Sequence, residues 1–270
     1  MKKLLFLGLL MLFSITLTAQ EKGHFQILIG YENDMYSKPY DRNFTILHGG
    51  FGYKSNLAAI YGNINLGYLY KTPDGVAENI QNKIQYEFDY YQSLSKSKST
   101  SFWLNYAYSQ DLLFPNHRFI GELWQKLPAH FLISGGETHY IYTGGNATIL
   151  NVGLENYFGR YWLEFKTYFF LKQPSTTYSY FLTGRIFFKD VNYLQLSAGI
   201  GSAQDEPFIL TTDLNRLDAK TTSIKYVTNI FKARMRISGG FTYMYEQYQA
   251  DVWRNRYAFG VGLIYNITKP

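Results

Sequence analysis

Four side chains in one short stretch carry the parts of a hydrolase: Ser109, Asp111, Asn116 and His117. A serine beside an imidazole, with an acid or amide to hold the ring, activates a hydroxyl against an ester. At the mouth of a membrane barrel that chemistry would act on lipid. The stretch lacks the sharp glycine-flanked turn that presents a nucleophile, and a Ser-His pair across a hairpin arises readily in a Ser-rich chain. Turn chemistry accounts for every residue: Asp111 and Asn116 satisfy backbone amides, Pro115 stiffens the bend, and Leu112 and Phe114 pack on a rim. The chain therefore reads as non-enzymatic, with Ser109, Asp111 and His117 as residual catalytic candidates.

Metal and phosphate chemistry find less. No two of His24, His48, His117, His130 and His139 share a strand face; His130 and His139, nine apart, point to opposite sides of a regular strand. Asp205, Glu206, Asp213 and Asp218 lack the ligand order of a calcium loop. The pairs Gly135-Gly136, Gly144-Gly145 and Gly239-Gly240 stand in strand or turn context, where glycine gives room for curvature rather than a phosphate cradle. Neither a metal nor a cofactor is expected.

The formal charge of +6 falls to +4 without Lys2 and Lys3, and no Lys/Arg cluster forms the footprint that nucleic acid requires. The weak positive balance suits anionic lipopolysaccharide. With no cysteine in the chain, disulfides, thiolate metal sites and an acylated N-terminal cysteine are all excluded.

The elements behind these residues begin with an export signal. Lys2 and Lys3 precede an apolar run from Leu4 to Leu17 and a small-residue cut after Ala19. The run falls short of the roughly 20 apolar residues that a membrane helix needs. Residues 1–19 are thus expected to be a signal peptide and 20–270 one domain, since no Pro-rich, Ser-rich or charge-block linker divides the chain.

Alternation of polarity runs through that domain. Ile84, Tyr86, Phe88 and Tyr90 share one strand face while Lys83, Gln85, Glu87 and Asp89 share the other. A helix would scatter those charges around its cylinder. Similar runs cover 161–170, 234–246 and 254–267. Strands are expected at 24–33, 42–54, 57–71, 79–92, 100–110, 117–127, 130–142, 147–158, 160–171, 177–188, 192–202, 219–231, 234–248 and 253–268. Short connections alternate with longer ones, the longest from Ala203 to Asp218. A soluble sandwich would bury the apolar faces, but 26 Tyr and 21 Phe, the export signal and the absence of helices to cover a sheet turn them outward to lipid. The fold expected is all-β: a transmembrane antiparallel up-and-down barrel of about fourteen strands, twelve being the alternative, in the outer membrane of a Gram-negative cell.

Inward parity then assigns a mixed-charge lumen to Lys83, Glu87, Asp89, Arg118, Glu122, Lys126, Glu155, Glu164, Lys166, Arg185, Lys225, Arg234, Arg236, Glu246, Arg254 and Arg256. Glu122 with Lys126, Glu164 with Lys166, and the arginines near the closing seam can form a ladder that plugs a narrow barrel. The basic residues can equally line a passage for anionic or saccharide solutes. Parity leaves both readings open, because it gives direction and not radius.

Three groups of motifs carry a resemblance. Tyr106-Ala107-Tyr108-Ser109-Gln110-Asp111-Leu112-Leu113-Phe114-Pro115-Asn116-His117-Arg118 leads to Gly121-Glu122-Leu123-Trp124-Gln125-Lys126-Leu127-Pro128; later come Tyr140-Ile141-Tyr142-Thr143-Gly144, Gly159-Arg160-Tyr161-Trp162 and the run Ser197 to Glu206. The chain resembles the YaiO family of outer-membrane barrels over most of 100–210. The resemblance implies an outer-membrane location, a barrel, insertion by the barrel-assembly machinery, and, through related barrels, a link to surface-polysaccharide export with periplasmic export components as partners. The chain departs from larger relatives in lacking a helical repeat ahead of the barrel, and it ends Ile267-Thr268-Lys269-Pro270 rather than on an aromatic residue.

Overall fold

The computed structural model describes residues 23–37, 42–71, 78–94, 97–110, 113–171, 176–189, 191–201, 218–231, 234–249 and 251–267. The expected signal peptide, Asp111, Asp205, Glu206 and Asp213 lie outside them.

Fourteen antiparallel strands close on themselves in sequence order. They are β1 (His24–Tyr36), β2 (Arg42–Lys54), β3 (Ala58–Lys71), β4 (Glu78–Ser93), β5 (Thr100–Ser109), β6 (His117–Lys126) and β7 (Phe131–Tyr142), followed by β8 (Gly145–Phe158), β9 (Tyr161–Leu171), β10 (Thr177–Lys189), β11 (Asn192–Gly201), β12 (Asp218–Ile230), β13 (Met235–Gln249) and β14 (Val252–Asn266). The seam pairs β1 with β14 from Gln26↔Asn266 to Tyr36↔Arg256. Closure is the physical requirement here, because an open edge in hydrocarbon would leave backbone N–H and C=O groups without partners.

Most boundaries fall within two residues of the sequence expectation. The exception is β1, which continues past residue 33 to Tyr36. Its polar end, Asn33-Asp34, resembles a turn locally, but pairing with both β2 and β14 holds it extended.

Period-two alternation sorts the side chains cleanly. Ile29, Phe51, Ile64, Leu123, Leu154, Phe165, Leu196 and Val261 all point outward and stay exposed. On a water-soluble protein that band would be an aggregation surface; around a barrel it is the lipid face. Tyr106, Tyr178, Tyr180, Tyr243 and Tyr257 extend the band at one end and Phe25, Tyr53, Phe158 and Tyr161 at the other, as an interfacial girdle requires.

Both terminal strands open or close at the same end, together with the short connections such as Ser55–Leu57, Gly159-Arg160 and the 3-10 turn at Pro128–His130. In an outer-membrane barrel that end faces the periplasm, and the opposite end faces outward.

Candidate functional site: the lumen

The lumen is filled unevenly. Over β2–β9 its wall carries long polar and aromatic side chains at mid-height, whereas the middle of β10–β14 carries mostly small ones. Cross-strand register shows the contrast: Thr183, Ser197, Ser223, Thr242 and Ala258 follow one another across β10 to β14. In the neighbouring row, Gly240 and Gly260 separate Lys225 from Glu32. The space left beside this small-residue wall is a cavity of about 750 Å³, also lined by Glu32, His48, Asn65, Glu87, Glu164 and Arg185.

The filled side is a hydrogen-bonded network. Arg118 is fully buried, 2.5 Å from Glu87 Oε1 through its NH2 group, and donates from Nε to Asn105 Oδ1 at 3.1 Å. Asn105 in turn donates to Glu87 and Asp89, and Trp103 Nε1 donates to Asp89 Oδ1 at 2.8 Å. Asn65 joins Gln85 and Glu87. These links run across β3, β4, β5 and β6, so one arginine and two carboxylates are held by four strands. A charge this deep is tolerated only with such partners.

A second pair, Lys166 with Glu122 at 2.5 Å, reaches from β9 to β6. Near the outer end, Arg254 lies 2.5 Å from Glu246, Arg256 pairs with Asp34 across the seam, and both guanidinium groups stand over the ring of Tyr36. Arg185 and Lys225 differ from these: neither forms an ion pair among the described residues. Arg185 is instead held by Gln195 Oε1 at 2.6 Å and by the rings of Trp162 and Tyr193, 4.0 and 5.0 Å from its guanidinium carbon. The cavity therefore carries basic groups on β10 and β12 and acidic ones on β1, β4 and β9.

Against the sequence reading, Lys83, Glu87, Asp89, Arg118, Glu122, Lys126, Glu155, Glu164, Lys166, Arg185, Lys225, Arg236, Glu246, Arg254 and Arg256 occupy inward strand positions. Arg234 does not; it lies in the exposed turn before β13, which begins one residue later. The ladder pairs Glu122 with Lys166, not with Lys126, whose Nζ is 3.5 Å from Ser97 O at the periplasmic rim. Asp34, beyond the end expected for β1 at residue 33, also lines the cavity, as do Glu32 inside that expected strand and His48 on β2; none of the three is among the expected lumen residues. Among the described residues no His, Asp and Glu side chains group as a metal site.

Ser109 and His117 stand on opposite sides of the wall. The register pairs Tyr108 with His117, so His117 faces outward with Tyr106, Tyr108 and Phe119, and its Nδ1 is 3.0 Å from Tyr106 Oη. Ser109 faces inward and donates to Ile84 O at 2.7 Å. They cannot share a proton in this fold.

The connection that holds them does something else. Leu113, Phe114 and Pro115 turn into the barrel and are buried; Phe114 packs edge-on against Phe44 with centroids 6.2 Å apart, beside Ile46 and Leu69. Gly67 makes room, since a Cβ there would sit 2.7 Å from Phe114 Cζ and 2.8 Å from Leu113 Cδ2. Replacing Gly67 by Val is therefore expected to expel the segment, with an overpacking cost of about 1–3 kcal/mol read by urea unfolding. Proteolysis near Phe114 should rise at the same time; unchanged cleavage and stability would contradict the insertion.

At the periplasmic end the lumen holds a third feature. Tyr61, Tyr91, Trp103, Trp124, Tyr157, Trp162, Phe187 and Tyr193 all point inward within four residues of their strands' short-turn ends.

Comparison with known proteins agrees with this architecture. A model of the YaiO membrane beta barrel domain matches residues 24–206. No curated protein matches the chain in sequence. Among solved structures, a bacterial polysaccharide outer membrane secretin aligns at TM-score 0.52 with 7% identity, over 91% of this chain and 99% of that one. The translocator domain of the autotransporter NalP from Neisseria meningitidis aligns at 0.50 with 10% identity, over 90% and 88%. An anion-selective porin from Comamonas acidovorans gives 0.44 with 11% identity, over 92% and 100%. At these identities the likeness is one of fold.

Proposed function

The chain belongs to the YaiO membrane β-barrel family, a 14-stranded outer-membrane protein, and from that premise we propose that it is a non-enzymatic pore for polar solutes or surface polysaccharide. The observation that carries this reading is the cavity beside the small-residue wall of β10–β14. A barrel that serves only as a scaffold has no need to leave a cavity of this size beside one wall while packing the opposite wall to burial. Glu32, Glu87 and Glu164 together with Arg185 and Lys225 give the cavity charged groups of both signs, which suit dissolved ions and polar solutes and exclude lipid.

Lipopolysaccharide around the outer rim, the barrel-assembly machinery and periplasmic export components are the partners that go with this role. Nucleic acid has no place in it.

Bilayer conductance of the refolded chain tests the reading, alongside the heat-shifted gel mobility that reports a closed barrel. Stable current steps are expected. A folded barrel that conducts no better than bare lipid would remove the pore.

One observation favours a second reading, a plugged barrel whose outer surface does the work: the inserted Leu113–Pro115 segment and the Arg254–Glu246 and Arg256–Asp34 pairs crowd the outer mouth. The two readings separate at Gly67→Val. A pore whose mouth the segment narrows conducts in the parent and gains current on losing it, whereas a plugged scaffold is silent in the parent and conducts, if at all, only once the segment is lost.

A further inference from the structure

Aromatic rings that face lipid near either rim are explained by the membrane interface. The inward rings at the periplasmic end are not, because they face water. Lys54, Ala59, Tyr91 and Trp103 follow one another in register across β2 to β5. The rings of Tyr91 and Trp103 stack parallel within 2° with centroids 5.7 Å apart, an offset aromatic platform that Tyr61 meets edge-on at 6.3 Å. Ser93, Ser101 and Trp124 form the next row toward the rim.

The platform is built, not loose. Buried Asp89 anchors the indole of Trp103, and buried Glu155 accepts a hydrogen bond from Trp162 Nε1 at 2.9 Å on the far side. Yet Tyr91 and Tyr157 keep 39% and 42% of their surface open. Fixing rings by carboxylates while leaving their neighbours' faces wet serves a ligand better than it serves packing, since the exposed apolar area contributes nothing to folding.

We propose that the periplasmic end of the lumen is a carbohydrate-binding vestibule, in which pyranose rings of a saccharide chain lie against Tyr91 and Trp103 while Lys54, Ser93 and Ser101 bond their hydroxyl edge. A pyranose presents an apolar C–H face and a polar rim, and the site offers flat rings bordered by donors and acceptors. Several rings on successive strands suit a repeating chain rather than a single small aromatic. The proposal rests on the pore reading for the ligand's route, but binding itself requires no conduction.

The test is a titration of maltohexaose, and separately chitohexaose, into the folded full-length mature protein in detergent micelles, followed by tryptophan emission. Saturable change with at least one hexasaccharide is expected, with much weaker response to glucose. Tyr91→Ala and Tyr157→Ala keep all four tryptophans as reporters and should each weaken binding roughly tenfold. Trp253→Phe, on the lipid face at the opposite end, should bind as the parent does. No saturable change with either sugar in a heat-modifiable barrel, or unaltered binding by both tyrosine variants, would overturn the vestibule. Current without sugar binding leaves the pore standing and sinks the vestibule; sugar binding by a silent barrel does the reverse.

Discussion

Arg118→Leu is expected to cost about 3–5 kcal/mol of stability, because it strips a buried guanidinium from the carboxylates of buried Asp89 and partly buried Glu87. Glu87 and Asp89 lie two positions apart on β4 and share Asn105 as donor. With Arg118 in place, its charge and two hydrogen bonds offset their repulsion and their removal from water. Leucine fills the volume but supplies neither charge nor donor, so one carboxylate has to take up a proton or the wall has to open. Urea unfolding in lipid vesicles reads the loss. Adding Glu87→Gln should restore most of it, because the pair is removed together. A double variant as weak as the single one would mean that Arg118 acts through packing alone.

Lys225→Glu is the second large effect, and it falls on ions rather than on folding. Lys225 lines the cavity and forms no ion pair among the described residues, so in the proposed pore its charge acts on whatever passes. Reversing it changes the local charge by two; at roughly 6 Å in water this amounts to about 1.4 kcal/mol, a tenfold change in relative permeability before salt screening. Reversal potentials in a potassium chloride gradient should move toward the cation side, most strongly at low salt. Arg185→Gln should move them the same way by less. Identical potentials for parent and Lys225→Glu would place the current elsewhere than this cavity.

Much of the fold was legible from residue order. A strand between lipid and a wet interior has a strict period of two, and the run Lys83 to Tyr90 declares both faces without help from the rest of the chain. The lumen direction of single charges followed from that parity. Their partners did not. Lys166 looks toward Glu164 on its own strand but reaches Glu122, 44 residues away, because curvature and stagger bring β9 and β6 together across the interior.

The other failures have local causes. Asn33-Asp34 has turn chemistry, and only the seam with β14 overrides it and brings Asp34 to Arg256. Ser109 and His117 look like neighbours across a hairpin, but a one-residue offset in register puts them on opposite faces. The inserted segment did leave a signal: Leu112, Leu113 and Phe114 are too apolar for a loop in water. Packing on the rim was expected of it, and the structure carries it inside, where Gly67 lacks a side chain to keep it out. The open cavity was not legible, since it is made of what β10–β14 leave out.

The most direct test of the cavity as the conducting path uses the absence of cysteine from the chain. Ser223→Cys places one thiol on the small-residue wall with almost no change in volume, and a charged methanethiosulfonate added to an open channel can react nowhere else. Labelling should lower the current in a single step, with the negative reagent shifting selectivity toward cations and the positive one toward anions. Complete labelling by mass with current and selectivity unchanged would contradict the account.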